Sequence, residues 1–411
     1  MASLSETLRN KSLQTIWSAV LISTLGNFLL MLSLSVYIWR ITGSNFLASA
    51  VFAVQWGAII FSAPLVSRLL QRISAAKLAA CSEWLGGAVS LLIGLSYQHL
   101  TLVFVLLALR GLVESLSKAA RVVALKNSVP EPLLGRAASL FGTGTFIGIA
   151  LGSLLGAILV EKLPLGWVAL IDSLTFLLSG ALYFLLWRRN KTQESTALAA
   201  SGSALRPAFQ ALRELPQLRR QFIWVIVTTA LLQGFHNVAR TLLPINLLGL
   251  GEQGVMLLQA IASVSFFSGA LVVALLMQGE DQSWRSQPWF IALISVVLMQ
   301  LSLLTPVVWL SLAGYALYLF VFEIAFTFCQ KNMIIQCPPS AMAAVSSSAL
   351  SVSTLGMVLA IVAGGALSDR VGLVATGWTL CALFVVVLLW AELPLWMART
   401  KPTSLEDAEN D

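Results

Sequence analysis

Long apolar stretches alternate along the chain with short polar breaks. Runs of mostly apolar residues cover about 14–39, 46–69, 75–97, 99–121, 137–160 and 165–187. After a longer polar interval the pattern resumes over 221–247, 254–277, 287–306, 308–331, 342–367 and 373–397. An α-helix needs about 20 such residues to cross the hydrocarbon of a bilayer. Backbone polar groups find no water there, so helix is the only form open to runs of this length. The pattern predicts an all-α integral membrane protein of twelve transmembrane helices. The polar start, MASLSETLRNKSLQT, leads into the first run without a small-residue cleavage pattern. That run reads as a spanning helix and not as a removable signal peptide.

Basic residues orient the helices. With the N-terminus in the cytoplasm, Arg9, Lys11, Arg68, Arg72, Lys77, Arg136, the 188–220 connector, Arg399 and Lys401 all fall inside. Only Arg40, Lys162 and Arg370 fall outside. This positive-inside bias predicts a multi-pass protein of the cell inner (plasma) membrane with both termini cytoplasmic. The glycosylation-type patterns at Asn10 and Asn190 lie on the cytoplasmic side and carry no weight.

One true shift in composition interrupts the pattern. Residues 190–219 are small and polar, then basic and amphipathic, with Phe209, Leu212, Leu215 and Leu218 at three-residue spacing. They read as a cytoplasmic linker whose second part lies along the membrane surface. The predicted organisation is a six-helix half over 1–189, the linker over 190–219, a second six-helix half over 220–397, and an acidic cytoplasmic tail over 398–411. The halves resemble each other at an offset of 208 residues. Gly156-Ala157-Ile158-Leu159-Val160-Glu161-Lys162 aligns with Gly364-Gly365-Ala366-Leu367-Ser368-Asp369-Arg370, and the same offset pairs Gly26 with Gly234, Pro130 with Pro338, and Gly148 with Gly356.

Composition narrows the classes further. Hydrophobic residues make up 58% of the 411 and charged residues 10%. A soluble domain carries about a quarter charged residues. The formal net charge of +7 is spread between apolar runs, so it reads as a topological signal and not as a nucleic-acid surface. Cys81, Cys329, Cys337 and Cys381 have no metal-ligand spacing and read as reduced core residues. His99 and His236 lack ligand partners at helical spacing, and no phosphate-binding G-x-x-x-x-G-K-S/T motif occurs. Neither a metal, a cofactor nor direct ATP drive is expected.

Gly144, Gly148, Gly152 and Gly156 recur every four residues in the fifth run and share one helix face. Such a row lets a neighbouring helix approach closely. The stretch from Gly148 through Gly152-Ser153 to Gly156-Ala157 resembles the antiporter motif G-x-x-x-G-P-x-x-G-G of the major facilitator superfamily, with Ser153 in place of proline and Ala157 in place of the last glycine. Two parallel six-helix repeats joined by a cytoplasmic linker are also that superfamily's layout. Arg110 resembles the arginine of a second family motif, R-x-x-q-G, although Val113 and Glu114 stand at its glutamine and glycine positions. The loop after the second run, Ala63 to Arg72, keeps the basic residues Arg68 and Arg72 of G-x-x-x-D-R-x-G-R-K and has Ser67 in place of the aspartate. Ile171-Asp172-Ser173-Leu174-Thr175-Phe176 looks like the start of the sixth helix in a branch containing siderophore and macrolide exporters. The resemblance implies a transporter, tilted towards export.

Ionisable groups within the spans are the remaining signal, because each is expensive in hydrocarbon and faces a cavity or a partner. Arg110, Glu114 and Lys118 lie one turn apart in the fourth run. Glu323 sits one residue from the repeat position of Glu114, Arg240 and His236 share a face of the seventh run, and Glu83 lies in the third. Arg110 and Glu114 are expected to pair along their helix, as a structural pair or as part of a proton switch. Glu114 and Glu323 are the proton-coupling candidates, since a carboxyl at that depth is partly desolvated. Glu323, with no arginine one turn away, is the one expected to hold a proton at rest. Asp172, near the outer end of the sixth run, is a less favoured third. Asn27 is the one strongly polar mid-span residue of the first run, and Trp17, Trp56, Trp84 and Trp378 are the tryptophans placed to line a cavity. The expected function is proton-coupled export of an amphipathic organic solute such as a drug, siderophore or peptide-like metabolite, by a monomer in the lipid bilayer. Import of a nutrient by the same fold, or a non-transporting sensor or enzyme, are the alternatives.

Overall fold

The computed structural model describes residues 4–70, 72–190, 205–276, 288–338 and 341–399. Ten long helices cover the first ten runs: α1 (Lys11–Thr42), α2 (Asn45–Leu70), α3 (Ala75–Ser96), α4 (Leu100–Ser128), α5 (Glu131–Leu159), α6 (Leu165–Arg189), α7 (Pro216–Leu247), α8 (Gly251–Leu276), α9 (Pro288–Leu304) and α10 (Val308–Gln336). The helical stretch Met342–Arg399 breaks at Gly372, whose φ of 81° no helix accommodates, giving α11 over 342–371 and α12 over 373–399. Among the described residues nine stretches are long and apolar enough to cross a membrane; one of these contains both α11 and α12. The apolar parts of α2 (Asn45–Ile60) and α9 are shorter. Together they account for the twelve predicted runs, and the fold is an all-α membrane bundle. Residues 191–204 of the 190–219 linker and 400–411 of the 398–411 tail lie outside the described residues, and the second part of the linker forms a short helix over Leu205–Glu214.

Local signals set the helix ends. The Asn10 side chain accepts from the Leu13 amide at 2.9 Å and caps α1. Gly43 closes α1 in the left-handed conformation, its amide bonded to the Trp39 carbonyl, and α2 starts two residues later. Proline stands at the start of α5, α7 and α9, where its missing N–H costs nothing. The first six helices pack as α1 against α5 and α6, α3 against α4 and α6, and α2 against α4. Among the last six, α7 packs on α11, α8 on α10, and α9 on α10 and α12. Large apolar side chains such as Leu95, Trp309 and Trp390 face outward, as a lipid-facing surface requires.

Counting an even number of crossings places the start of α1, the ends of α6 and α10 and the starts of α7 and α11 on one face, here called proximal. The α1–α2, α7–α8 and α11–α12 turns lie on the other, distal face. The two sets of six helices meet through α2 against α11 and α5 against α8. The Asp369 carboxylate, at the distal end of α11, caps α2: it accepts from the Asn45 amide at 2.6 Å, the Phe46 amide at 3.1 Å and the Ser44 hydroxyl at 2.9 Å. Glu161, at the distal end of α5, accepts from the Gln253 side chain of α8 at 2.7 Å. Asp369 and Glu161 are related by the 208-residue offset, and so are Gln253 and Asn45. A carboxylate at repeat-related positions therefore meets the facing helix start twice, through backbone amides in one case and a side chain in the other. An Arg40–Glu252 ion pair and a Ser35–Thr241 hydroxyl contact at 3.1 Å add to this distal seal.

Candidate functional site

Helix α4 places Arg110, Glu114, Lys118 and Arg121 along one inward face. Arg110 has no exposed surface, and its guanidinium is fully engaged. It pairs with Asp172 of α6 at 2.6 Å and donates to Ser90 of α3 at 2.9 Å and to Asn27 of α1 at 2.5 Å. A longer bond of 3.3 Å reaches the Gln55 carbonyl of α2, and the Phe176 ring lies 5.0 Å away. Five helices thus converge on one cation. Charge-assisted bonds of this kind are the strong ones, and a charge this far from water is tolerable only when so surrounded.

The expected Arg110–Glu114 pairing does not occur. Glu114 pairs instead with Lys118, one turn onward, at 2.7 Å, and also accepts from Gln55 and, at 3.5 Å, from Asn27. An acid preceding its base by four residues is the favoured order on a helix, and Arg110–Glu114 has the reverse order. Asp172 is likewise no peripheral residue: it is the counter-ion at the centre of the network. Asn27 joins the parts, accepting from Arg110 and Gln55 while donating to Glu114.

Two further buried ion pairs lie nearer the proximal face. Arg121 pairs with Glu83 of α3, and it donates to Ser117 and Ser23 at 2.9 Å each. Glu392 of α12 accepts from Arg220 at 2.7 Å and from the Trp224 indole at 2.7 Å. Glu392 stands near the end of an apolar run and Gln55 is an uncharged residue within one, so hydropathy gives neither prominence.

Between the two sets of helices lies a cavity of about 480 Å³. Its wall runs from Trp56 and Arg240, at mid-depth, to Ile334 and Ser346 near the proximal face. Asn27, Lys118, His236, Gln259 and Glu323 supply the other principal polar groups, and Phe28, Phe146, Phe266 and Phe326 much of the apolar surface. A side pocket of about 290 Å³ shares Asn27 and Lys118 with it and reaches Glu114 and Arg121. Asn27, Arg240 and Glu323 therefore line the cavity itself, Glu114 lines its annexe, and Arg110 and Asp172 lie buried behind. The Glu323 carboxylate accepts from Thr327 at 2.9 Å and has no basic partner among the described residues. His236 shares a 3.0 Å contact with the Tyr315 hydroxyl.

The α5 glycine row lies against α1. A Cβ at Gly144 would stand 3.2 Å from Trp17, and one at Gly148 would stand 2.7 Å from the Leu21 carbonyl oxygen. Gly152 abuts Leu25, and Gly156 faces Met256 of α8. Of the four tryptophans read as cavity residues, Trp56 lines this cavity. Trp378 faces outward, Trp84 donates to the Leu177 carbonyl on α6 at 3.2 Å, and Trp17 borders a separate groove near Leu13.

Comparison with known proteins bears on this arrangement. The family model described as Major Facilitator Superfamily matches residues 16–349. The chain belongs to the major facilitator superfamily. No curated protein matches this superfamily member by sequence. Among solved structures it is similar to a bacterial homologue of the human lysosomal transporter Spinster, in an inward-facing, occupied conformation, with 13% identity, 94% of this chain and 96% of that one covered, and a TM-score of 0.70. It is similar to the nucleoside transporter NupG with 14% identity, coverage of 95% and 100%, and a TM-score of 0.69. A POT family transporter in complex with a thioalcohol-conjugated peptide gives 13% identity, coverage of 93% and 96%, and a TM-score of 0.70. At such identities the likeness is one of fold, and the residues around the superfamily cavity in this chain are its own.

Proposed function

We propose that this superfamily member is a secondary active transporter that exports an amphipathic organic solute in exchange for protons. The observation that carries the reading is the cavity of about 480 Å³ between the two sets of six helices, bordered on its distal side by the seal. That volume is in the range of small-molecule sites, and a mostly apolar wall with a few placed polar groups is their usual character. In this reading 1–189 and 220–397 rock about the cavity, joined by 190–219, so that the distal seal opens as the proximal side closes. The glycine-lined α1–α5 contact supports export, by its resemblance to the antiporter pattern, and the basic residues support proximal-face exposure to the cytoplasm of the cell inner membrane. Glu114 and Glu323 are the proton-carrying groups, and the working unit is a monomer.

The test is flux in proteoliposomes holding a pH dye, challenged with a panel of amphipathic organic solutes under an imposed pH gradient. Export by exchange gives proton and solute movements of opposite direction. Movements in the same direction mean symport, and no coupled movement with any solute overturns the reading.

A further inference from the structure

Arg240 differs from the other deeply buried arginines. Arg110 and Arg121 each face a carboxylate, whereas Arg240, 1% exposed, belongs to none of the ion pairs among the described residues. Its Nη1 donates to the Gln259 carbonyl of α8 at 3.1 Å, while Nε and Nη2 have no hydrogen-bond partner among the described residues. Those two nitrogens form one edge of the guanidinium, the edge whose parallel N–H bonds match the two oxygens of a carboxylate.

The surroundings fix that edge in place. The guanidinium carbon lies 3.3 Å from the Phe52 ring centre and 5.7 Å from that of Trp56, both on α2. Aromatic faces stabilise the charge partially and satisfy no N–H. The helical turns that carry Arg240, Gly234–Leu242, are flanked on both sides by wider π-helical turns, Thr228–Gln233 and Leu243–Leu247. Such turns interrupt a regular helix at a cost and concentrate at functional sites. Arg240 and Gln259 both line the cavity. A desolvated cation with two buried, unpaired donors beside a cavity is costly unless an anion completes it.

We infer that the cavity takes an organic anion whose carboxylate docks on the Nε–Nη2 edge of Arg240, with its apolar body along the aromatic wall. This rests on the cavity being the solute site. The anion would bridge α7 and α8 to the α2 aromatics and so touch both sets of helices at once.

Binding is measured on the purified full chain with 2-naphthoate and with its uncharged isostere 2-naphthamide. The expected result is that the acid binds at least about tenfold more tightly, the order expected for a charge-assisted bidentate contact. Arg240→Gln should abolish that preference, and Arg240→Lys, which keeps the charge without the edge, should restore only part of it. The unliganded Arg240→Met protein should melt at a higher temperature than the parent, since an uncompensated charge has been removed. Equal binding of acid and amide by the parent chain, or binding of neither, overturns the inference without recourse to any variant. An Arg240→Gln chain that keeps the preference does so as well. Carboxylate binding through Arg240 without flux would sink the transport reading alone, and flux of neutral solutes indifferent to Arg240 would sink this inference alone.

Discussion

Arg110 of α4 and Asp172 of α6 form an ion pair at 2.6 Å with neither side chain exposed. Asn27 and Ser90 complete the guanidinium, so the pair joins α1, α3, α4 and α6 into one unit. Such a unit holds these four helices in fixed relation to one another.

Removing one partner leaves the other buried and uncompensated. Arg110→Met and Asp172→Leu should each destabilise the protein by about 3–5 kcal/mol, and the double variant should recover much of that loss. Thermal melting of the purified protein reads all three. Additive losses in the double variant would mean that the two charges do not depend on each other.

Leucine in the glycine row should block function while allowing insertion. A side chain at Gly148 meets the Leu21 backbone, which cannot move aside, and overpacking of this kind costs about 1–3 kcal/mol. Flux in proteoliposomes should fall to background for Gly148→Leu and Gly152→Leu. Gly142→Leu is the control, because a Cβ there meets nothing within 4 Å. Full activity in the Gly148 and Gly152 variants would separate the α1–α5 contact from transport.

The runs, their repeat and the shared face of the glycines are legible in the sequence because hydrocarbon and helix period impose them on every residue. Pairing is not. The four-residue rule sees partners on one helix only, and it offers Glu114 to Arg110; the actual partner, Asp172, is 62 residues away and is chosen by how α4 packs on α6. Arg240 is visible as a charge within a run, but its lack of a counter-ion among the described residues is a property of the neighbours, Phe52, Trp56 and Gln259, that only the fold assembles. Gln55 escapes for a different reason: one amide hardly lowers the hydropathy of its run, yet it touches Arg110, Asn27 and Glu114.

The two cavity carboxylates should differ in their role. Glu114 is held by Lys118 and Gln55, while among the described residues Glu323 has the Thr327 hydroxyl alone. Glu323→Gln should lose flux driven by a pH gradient and keep equilibrium exchange, with a smaller loss in Glu114→Gln. If both variants retain gradient-driven flux, neither carboxyl couples protons and the α4 charges are structural.

Loss of the distal caps should open that face. The Asp369 cap contributes about 0.5–2 kcal/mol and the Glu161–Gln253 side-chain bond, to a charged acceptor, about 1.5–3 kcal/mol, so Asp369→Ala and Glu161→Ala should each shift the balance of conformers several-fold or more, and the double variant further. Pulsed electron resonance between labels at Thr42 and Val371, which flank the seal, gives the distance distribution. A double variant with the parent distribution would show that the caps do not hold the face shut.

The twofold seal has the geometry of a symmetric dimer interface, with the same patch used from both sides. Its two copies are nevertheless unequal targets for mutation. The Glu161–Gln253 contact is side chain to side chain, so a change at either position erases it. The Asp369 contact includes the Asn45 and Phe46 backbone amides, which every residue but proline supplies. One latch is thus written at two positions of the gene and the other chiefly at one, and random substitution will wear them out at different rates.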